Sequence, residues 1–273
     1  MNEQVKTIDF NKIIGQKYKL IEQIGKGNFG LVFKAINIKN NELVAVKIED
    51  RLANKKVLNN EAKILKHLSD LDCVPKLKWF GVFDNHRYIV LQLLGKTLYD
   101  YKKLKNILSL HICIPIFEKI INIFKYIHEK GIVYRDIKPE NFLFDLDNLN
   151  KIYIIDFGLS TSYLDANNKH IELDKSGHYT GTIRYSSLNI HNGYNHSRRD
   201  DLISLGYMIL YLMTEKLPWM GIGEDDIKKK YDAIKSIKEK EINNTIFTSY
   251  FTHCYNLNFK EKPDYNLLIK SIK

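Results

Sequence analysis

The chain has 273 residues, of which 44% are hydrophobic and 27% are charged, a composition that excludes a disordered or fibrous protein. Its 42 Lys and Arg outnumber 32 Asp and Glu, and the net charge of +10 favours anionic partners: nucleotides, phosphopeptides, acidic peptides, nucleic acids or anionic membranes. The apolar run at residues 202–213 is too short to span a bilayer, and residues 1–16 lack the apolar core of a secretory signal. The three scattered cysteines fit neither a disulfide framework nor a metal-binding pair. We therefore expect a folded chain without a membrane segment in a reducing compartment, the cytoplasm or the nucleus.

The N-terminal part of the chain predicts a small antiparallel sheet and one helix. Residues 18–48 contain three apolar runs separated by turn residues, a pattern that predicts a three-stranded meander. Apolar positions recur at helical spacing over residues 54–68. Residues 76–83 and 87–93 are expected to be further strands.

A glycine-rich turn joins the first two predicted strands. Gly25, Gly27 and Gly30 lie in the run GKGNFGLV, which ends at Val32, and glycines there allow backbone amides to approach phosphates closely. An ordinary hairpin turn would show the same pattern. A strand follows the turn, which excludes a dinucleotide-binding fingerprint because a helix would follow in that motif.

The next predicted strand carries Val44-Ala45-Val46-Lys47, and Glu61 lies in the helix after it. A lysine at this position can neutralise the α- and β-phosphates of a nucleotide while a glutamate holds its ammonium. Taken alone, the two residues are better interpreted as a surface lysine and a surface glutamate.

After Gly95 the patterns become helical. Helices are predicted at residues 109–128, 198–213 and 224–238, with two shorter helices near the end of the chain. The boundary between the two halves is expected near residues 92–95.

A polar loop between the helices carries the residues needed for phosphoryl transfer. The run YRDIKPEN at residues 134–141 supplies Asp136 to orient an attacking hydroxyl, Lys138 to balance phosphoryl charge and Asn141 to bind a metal. Asp156-Phe157-Gly158 follows a predicted strand at residues 151–155 and adds a second metal-binding carboxylate. The four motifs occur in the order and approximate spacing of the eukaryotic protein kinases.

Further segments resemble the casein kinase 1 family. They are TGTIRYSSLN at residues 180–189, SRRDDL at 197–202, LGY at 205–207, LPW at 217–219 and KPDY at 262–265. The resemblance covers about residues 18–272. It implies an α+β, bilobal protein-kinase-like fold with a small antiparallel-sheet N-lobe, one main N-lobe helix and a mostly helical C-lobe. One catalytic domain would fill residues 1–273, with the N-lobe at about 1–91, the hinge at 92–95 and the C-lobe at 96–273.

The resemblance implies an ATP site between the lobes. The adenine would contact apolar side chains for which a plain core role is equally compatible, namely Ile24, Val32, Ala45, Leu143 and Ile155. Backbone groups near Gln92 and Leu94 would bind the adenine edge, and Leu91 would limit the back pocket as gatekeeper.

The resemblance also implies the catalytic roles. Asn141 and Asp156 would hold Mg²⁺, Lys47 with Glu61 would anchor the phosphates of ATP, and Asp136 with Lys138 would serve the transfer step. Thr182 together with Lys138 is typical of serine/threonine kinases. The implied activity is ATP-dependent phosphorylation of Ser or Thr in proteins, by a monomer.

Arg184, Lys230 and the backbone near Gly221 match the anion site of the family, which recognises an acidic or phosphorylated residue upstream of the target. The alternative for Lys230 is that residues 228–230 form a solvated helix face. Arg135 could also meet a phosphate on Ser176 or Thr180, although the resemblance favours activity without that step.

Several departures from the family pattern bear on activity. Tyr134 replaces the usual His and is interpreted as a core residue, Gln92 replaces a hinge glutamate, and Tyr255 replaces an arginine, which affects packing beneath the activation segment.

A catalytically impaired pseudokinase scaffold is the alternative function. A nucleic-acid-binding protein is the second alternative, but no nucleic-acid motif accompanies the basic charge.

Overall fold

The computed structural model describes residues 12–27, 30–50, 57–175, 179–222, 227–241 and 245–273. The chain divides into two compact units, Met1–Gly95 and Lys96–Lys273, which we call the N-terminal and C-terminal units.

The N-terminal unit is built on a six-stranded antiparallel sheet in the order β1-β2-β3-β4-β6-β5. Its strands are β1 Ile13–Ile14, β2 Tyr18–Gly27, β3 Gly30–Asn37, β4 Glu42–Asp50, β5 Leu77–Phe83 and β6 His86–Gln92. The predicted meander and the two later strands are confirmed. The apolar alternation of these strands decides which face is buried.

One face of this sheet forms an apolar core. Phe33, Val44, Val46 and Ile48 are at most 2% exposed, and they pack with Tyr88 and Val90. Because successive side chains of a strand point to opposite faces, the residues between them on β4 lie on the other face.

A single helix accompanies the sheet. α1 spans Val57–His67 and buries Leu58 and Leu65, as its spacing predicts, while residues 54–56 of the predicted helix lie outside the described residues. The side chain of Glu61 on this helix is also buried.

The C-terminal unit is mainly helical. Its helices are α2 Leu98–Lys105, α3 Leu110–Glu129, α4 Leu188–His191, α5 Arg198–Thr214, α6 Ile227–Glu241, α7 Thr248–Asn256 and α8 Tyr265–Ser271. The helices predicted at 109–128 and 198–213 are confirmed, and the helix predicted at 224–238 is confirmed from Ile227 onward. Leu202, Ile203 and Leu205 of α5 are fully buried, which explains the continuous apolar run there.

Short strands complete the C-terminal unit. β8 Phe142–Phe144 pairs with β9 Ile152–Ile154, and β7 Ile132–Val133 pairs with β10 Thr161–Ser162, all antiparallel. The predicted strand at 151–155 contains β9. The sequence did not predict β7, β8 and β10, because two or three residues are too few to show a periodicity. The four-residue helix α4 was missed for the same reason, whereas α2 has eight residues and begins with a capping box of Thr97 and Asp100 that the prediction overlooked.

The architecture confirms the α+β class, with an antiparallel-sheet unit followed by a helical unit. Among the described residues, no helix combines the length and the apolar character needed to cross a membrane.

Candidate active site

In the N-terminal unit, strand register gathers four predicted site residues on one face of the sheet. Val32 lies opposite Lys47, and Ala45 lies opposite Leu91. Directly paired residues of antiparallel strands share a face, and Ala45 and Lys47 are two residues apart on β4. This face is therefore opposite the apolar core, so that Val32, Ala45, Lys47 and Leu91 are brought together.

Lys47 makes a buried ion pair with Glu61 of α1. The distance from Lys47 Nζ to Glu61 Oε2 is 2.7 Å, and the side chains are 11% and 1% exposed. The surface alternative for these two residues is thus wrong. An ammonium held in this way is a fixed positive charge, which can attract phosphate oxygens.

A second carboxylate positions the helix that carries Glu61. Glu49 Oε1 accepts the backbone amides of Val57 and Leu58 at 3.1 and 3.2 Å, in the first turn of α1. Amides of a first helical turn have no intrahelical acceptor, so a carboxylate there stabilises the helix end. The sequence reading missed Glu49, although a charged residue within an apolar strand was an available signal.

The glycine-rich turn is described at its two ends, while Asn28 and Phe29 lie outside the described residues. Gly30 has φ +141°, and a Cβ there would lie 2.0 Å from the carbonyl oxygen of Ile48. Only glycine fits such a position. Gly25 pairs with Val32 in the β2–β3 ladder, Gly27 has open space around it, and Ile24 is 48% exposed.

The last strand of the sheet leads into the predicted hinge. The amide of Gln92 donates to the carbonyl of Lys76 at 3.0 Å, and its side-chain oxygen accepts the amide of Lys76 at a long 3.5 Å. The carboxamide thus acts as an acceptor here, which a glutamate could also do. Leu94 is buried.

In the C-terminal unit, three predicted residues converge on Asp136, which is only 4% exposed. Asp136 Oδ2 accepts from Lys138 Nζ at 2.6 Å and from Asn141 Nδ2 at 3.3 Å, and Asp136 Oδ1 accepts from the Thr182 hydroxyl at 2.8 Å. The side-chain amide of Asn141 also donates to the backbone carbonyl of Asp136 at 2.8 Å. These bonds fix the carboxylate in one orientation, which a base that must align a hydroxyl requires.

The backbone segments that carry the predicted metal ligands Asn141 and Asp156 are hydrogen-bonded to each other. Ile155, directly before Asp156, donates its amide to the carbonyl of Asn141 at 3.0 Å. Asp156 has left-handed backbone dihedrals of 61° and 66°, and the turn Phe157–Leu159 follows it. Leu143 lies between them on β8, and both Leu143 and Ile155 are partly exposed.

These two ligands fit Mg²⁺. The amide nitrogen of Asn141 is oriented by its bonds to Asp136, so the amide oxygen can ligate a cation together with the Asp156 carboxylate. Oxygen donors from one or two side chains plus substrate phosphates are what Mg²⁺ ordinarily takes. Within the described ranges no group of three or more His, Cys, Asp or Glu could hold a metal by itself.

A buried carboxylate on α5 supports the loop from beneath. Asp201 accepts the backbone amides of Tyr134 at 2.7 Å and Arg135 at 2.9 Å, and it contacts His128 Nε2 at 3.0 Å. Arg135 has φ +76°, an unfavourable conformation that these bonds help to hold. The sequence placed Asp201 in a family motif but gave it no role.

Tyr134 links the loop to the segment that carries Asp156. It is fully buried, its hydroxyl donates to the carbonyl of Ile155 at 2.6 Å, and its ring packs edge-on against Phe157 with centroids 5.4 Å apart. The interpretation of Tyr134 as a core residue is confirmed. It also makes a polar contact that the prediction did not include.

Asp200 joins the end of the segment after Asp156 to α5. Its Oδ1 accepts from the Ser187 hydroxyl at 2.6 Å and from the Asn189 amide at 2.9 Å, and its Oδ2 accepts the amide of Ser197 at 2.9 Å. Tyr255, where the family has arginine, places its hydroxyl 2.8 Å from that of Tyr207. A hydroxyl and an amide on one carboxylate therefore hold this segment to α5, while the tyrosine pair joins α5 to α7.

The predicted anion site is only partly described. Arg184 is half-buried, with its guanidinium carbon 5.3 Å from the centroid of the Tyr211 ring, and Gly221 is exposed with φ +77°. Lys230 lies on α6, but its side chain is outside the described residues, as is Ser176. The convergence of Arg184, Gly221 and Lys230 stays a prediction.

Gly181 provides a test of how tightly the segment before Thr182 approaches the loop. Its φ is +101°, and a Cβ would lie 2.2 Å from the carbonyl oxygen of Arg135. We expect Gly181→Ala to displace Thr182 from Asp136 and to lower kcat at least about tenfold. The strain of the added Cβ costs more free energy than the Thr182–Asp136 hydrogen bond contributes. Gly221→Ala is the matched control for stability: it has a similar positive φ but open space. If both variants lowered the melting temperature equally, the close approach at Arg135 would not be the cause.

The comparison with protein families agrees with this geometry. A family model described as the protein kinase domain matches residues 18–269, which is nearly the whole chain and includes every site residue discussed above. Strands β2 to β6, the Lys47–Glu61 pair and the Asp136 loop all fall within this match. The chain therefore belongs to the protein kinase domain family.

Proposed function

We propose that this chain is an active serine/threonine kinase similar to casein kinase 1, which uses Mg²⁺ and ATP to phosphorylate proteins. Membership of the protein kinase family supports the general part of this proposal, namely a phosphotransferase with protein substrates. The whole chain is proposed to be one catalytic domain, acting as a monomer. The observation that best supports activity is the set of bonds from Lys138, Asn141 and Thr182 to Asp136.

The proposed chemistry assigns a role to each part of this set. Asp136 orients the hydroxyl of the substrate for in-line attack on the γ-phosphorus and takes up its proton, while the bond between the γ-phosphorus and the β–γ bridging oxygen breaks and ADP leaves. Lys138 balances the charge on the transferred group, and Asn141 with Asp156 holds the cation. When bound, Mg²⁺ neutralises charge on the phosphate oxygens.

In the N-terminal unit, Lys47 is proposed to bind phosphate oxygens with its ammonium fixed by Glu61. The apolar residues Val32, Ala45 and Leu91 on the same face of the sheet suit the adenine ring, since they lie beside a fixed cation and Val32 and Ala45 are partly exposed. Ile24, Leu143, Ile155 and the backbone near Gln92 and Leu94 complete the proposed set.

The proposed specificity for serine and threonine rests on Lys138 and Thr182, and the proposed similarity to casein kinase 1 rests on the segment around Thr182 together with the later segments that resemble that family. Thr182 bonds Asp136 directly, and Arg184 follows two residues later. Among the described residues no carboxylate forms an ion pair with Arg184, whose guanidinium lies on the faces of Tyr185 and Tyr211. A half-buried guanidinium of this kind suits a phosphorylated or acidic residue of the substrate.

The test of the proposed function is phosphorylation of casein by the purified chain with Mg-ATP, followed by identification of the phosphorylated amino acids. We expect phosphoserine and phosphothreonine. Nucleotide binding without turnover would favour the pseudokinase scaffold instead. Phosphotyrosine would contradict the proposed specificity.

Substrate selection is tested with two peptides that differ only in a phosphate upstream of the target serine. We expect Arg184→Ala to lower kcat/KM about tenfold for the phosphorylated peptide, because a charge-assisted contact is lost, and to change the value for the unphosphorylated peptide little. Arg184→Lys, which keeps the charge without the planar fork, should retain part of the preference. An equal loss on both peptides would argue against the anion site.

A further inference from the structure

Lys238 is a buried lysine that none of the roles above uses. It lies on α6 and is 0% exposed, whereas lysine is rarely buried without a carboxylate partner. Within the part of the chain that the structure describes, no carboxylate forms an ion pair with it. Its surroundings therefore need a separate explanation.

The ammonium of Lys238 has three acceptors. It donates to the carbonyl of Ser186 at 2.5 Å, to the carbonyl of Ile183 at 3.2 Å and to Nε2 of His191 at 3.2 Å. Burial lowers the pKa of Lys238 well below its ordinary value. Hydrogen bonds to the charged form oppose that effect, and three acceptors match the three donors of an ammonium.

The neighbours of Lys238 are also suited to a cation. Burial and the adjacent Lys238 lower the pKa of His191 to about 3, so that His191 is neutral at neutral pH and can present an acceptor nitrogen. The rings of Trp219 and Tyr207 lie 4.9 and 5.1 Å from Lys238 Nζ, within the range of cation–π attraction.

Trp219 contacts the same short segment of backbone. Its indole nitrogen donates to the carbonyl of Arg184 at 2.8 Å. Three carbonyls within four residues, those of Ile183, Arg184 and Ser186, thus accept from two side chains elsewhere in the C-terminal unit. The segment begins beside Thr182, which bonds Asp136.

Stability alone does not account for this arrangement. Moving an ammonium out of water costs several kcal/mol, and apolar residues of similar volume often replace buried charges without loss of stability. Methionine would fill much of the same space. The ammonium is therefore best explained by the backbone that it holds in place.

We propose that Lys238 and Trp219 are positioning residues that fix the backbone of residues 183–186 in the conformation that receives the protein substrate. The proposal rests on the proposed function, because it assumes that the segment between Thr182 and Ser187 contacts the peptide. It assigns peptide affinity, and not nucleotide affinity, to residues far from Asp136 in the sequence.

The kinetic arm of the test uses Lys238→Met and Trp219→Phe, with dephosphorylated casein as the probe. Each variant removes donors and keeps most of the volume. We expect the KM for casein to rise about tenfold while the KM for ATP stays within about twofold of the parent, because ground-state contacts with the peptide are lost. Lys238→Arg, which retains donors and charge, should lie closer to the parent than Lys238→Met. Equal changes in both KM values would overturn the assignment to the peptide.

The second arm is independent of activity. Hydrogen exchange of the amides at residues 183–187 should accelerate about tenfold in each variant, while amides in α3 keep the rates of the parent. If Lys238→Met does not fold, Trp219→Phe still tests the positioning role. This variant keeps an aromatic ring in the core and removes only the donor to Arg184. Unchanged exchange in the folded variants would overturn the positioning role. If the parent fails to phosphorylate casein, the proposed function fails, and the exchange arm still tests the positioning role.

Discussion

Replacing Asp136 with asparagine should lower kcat for casein at least about 10²-fold. The neutral amide cannot take up the proton of the attacking hydroxyl, and it has no negative charge with which to orient that hydroxyl. Asparagine keeps the shape of the side chain and one oxygen that can accept from Thr182. We therefore expect the fold to persist, with a melting temperature within about 2 °C of the parent. Binding of Mg-ADP, measured by calorimetry, should be nearly unchanged.

Asp147→Asn is the matched control for this variant. Asp147 is exposed in the turn between β8 and β9, close in sequence to the loop, and its substitution removes the same charge. Its kcat should equal that of the parent. A kcat for Asp136→Asn equal to that of Asp147→Asn would remove Asp136 from the reaction.

Replacing Lys47 with methionine should abolish most activity and also destabilise the protein. The substitution leaves Glu61, which is 1% exposed, without its ammonium, and removing one partner of a buried ion pair costs about 3 kcal/mol. We expect a fall in melting temperature of about 5 °C and a fall in kcat/KM of at least about 10²-fold. Differential scanning fluorimetry and steady-state kinetics measure the two effects.

The double variant Lys47→Met/Glu61→Gln separates stability from catalysis. Removing the second charge eliminates the carboxylate that lost its ammonium, so the melting temperature should return most of the way to that of the parent while activity stays low. Lys34→Met is the surface control, because the Lys34–Glu22 pair lies in the same unit with side chains 32% and 57% exposed. It should shift the melting temperature by less than about 1 °C. Recovery of activity in the double variant would contradict a phosphate-binding role for Lys47.

Much of the fold follows from periodicity along the chain. The alternation on β4 buries Val44 and Val46 and leaves Ala45 and Lys47 on the opposite face, which is readable from the strand alone. The spacing of Leu58 and Leu65 likewise predicts α1. Elements of two to four residues, such as β7, β10 and α4, were missed because their formation depends on partners distant in sequence.

The candidate site likewise combines features that short sequence motifs predict with contacts between residues distant in sequence. The residue types needed for phosphoryl transfer occur in short motifs, so Asp136, Lys138 and Asn141 are identifiable from residue type and spacing alone. Their bonds to one another join residues two to five positions apart, and only the contact with Thr182 spans a longer interval. The contacts within this loop are therefore local in sequence, whereas the contact with Thr182 depends on the fold.

Residue type, order and spacing along the chain were enough to identify the family, the α+β class and the candidate catalytic residues. The charged groups that support those residues emerged only from the folded chain: Glu49 beneath α1, Asp201 beneath the Asp136 loop, and Lys238 beneath residues 183–186. Each of these groups is buried although charged residues are ordinarily exposed. The backbone groups that compensate each charge lie on a different element of the fold, so a local pattern can at most mark such a residue, as for Glu49 within an apolar strand, and does not show which groups it binds.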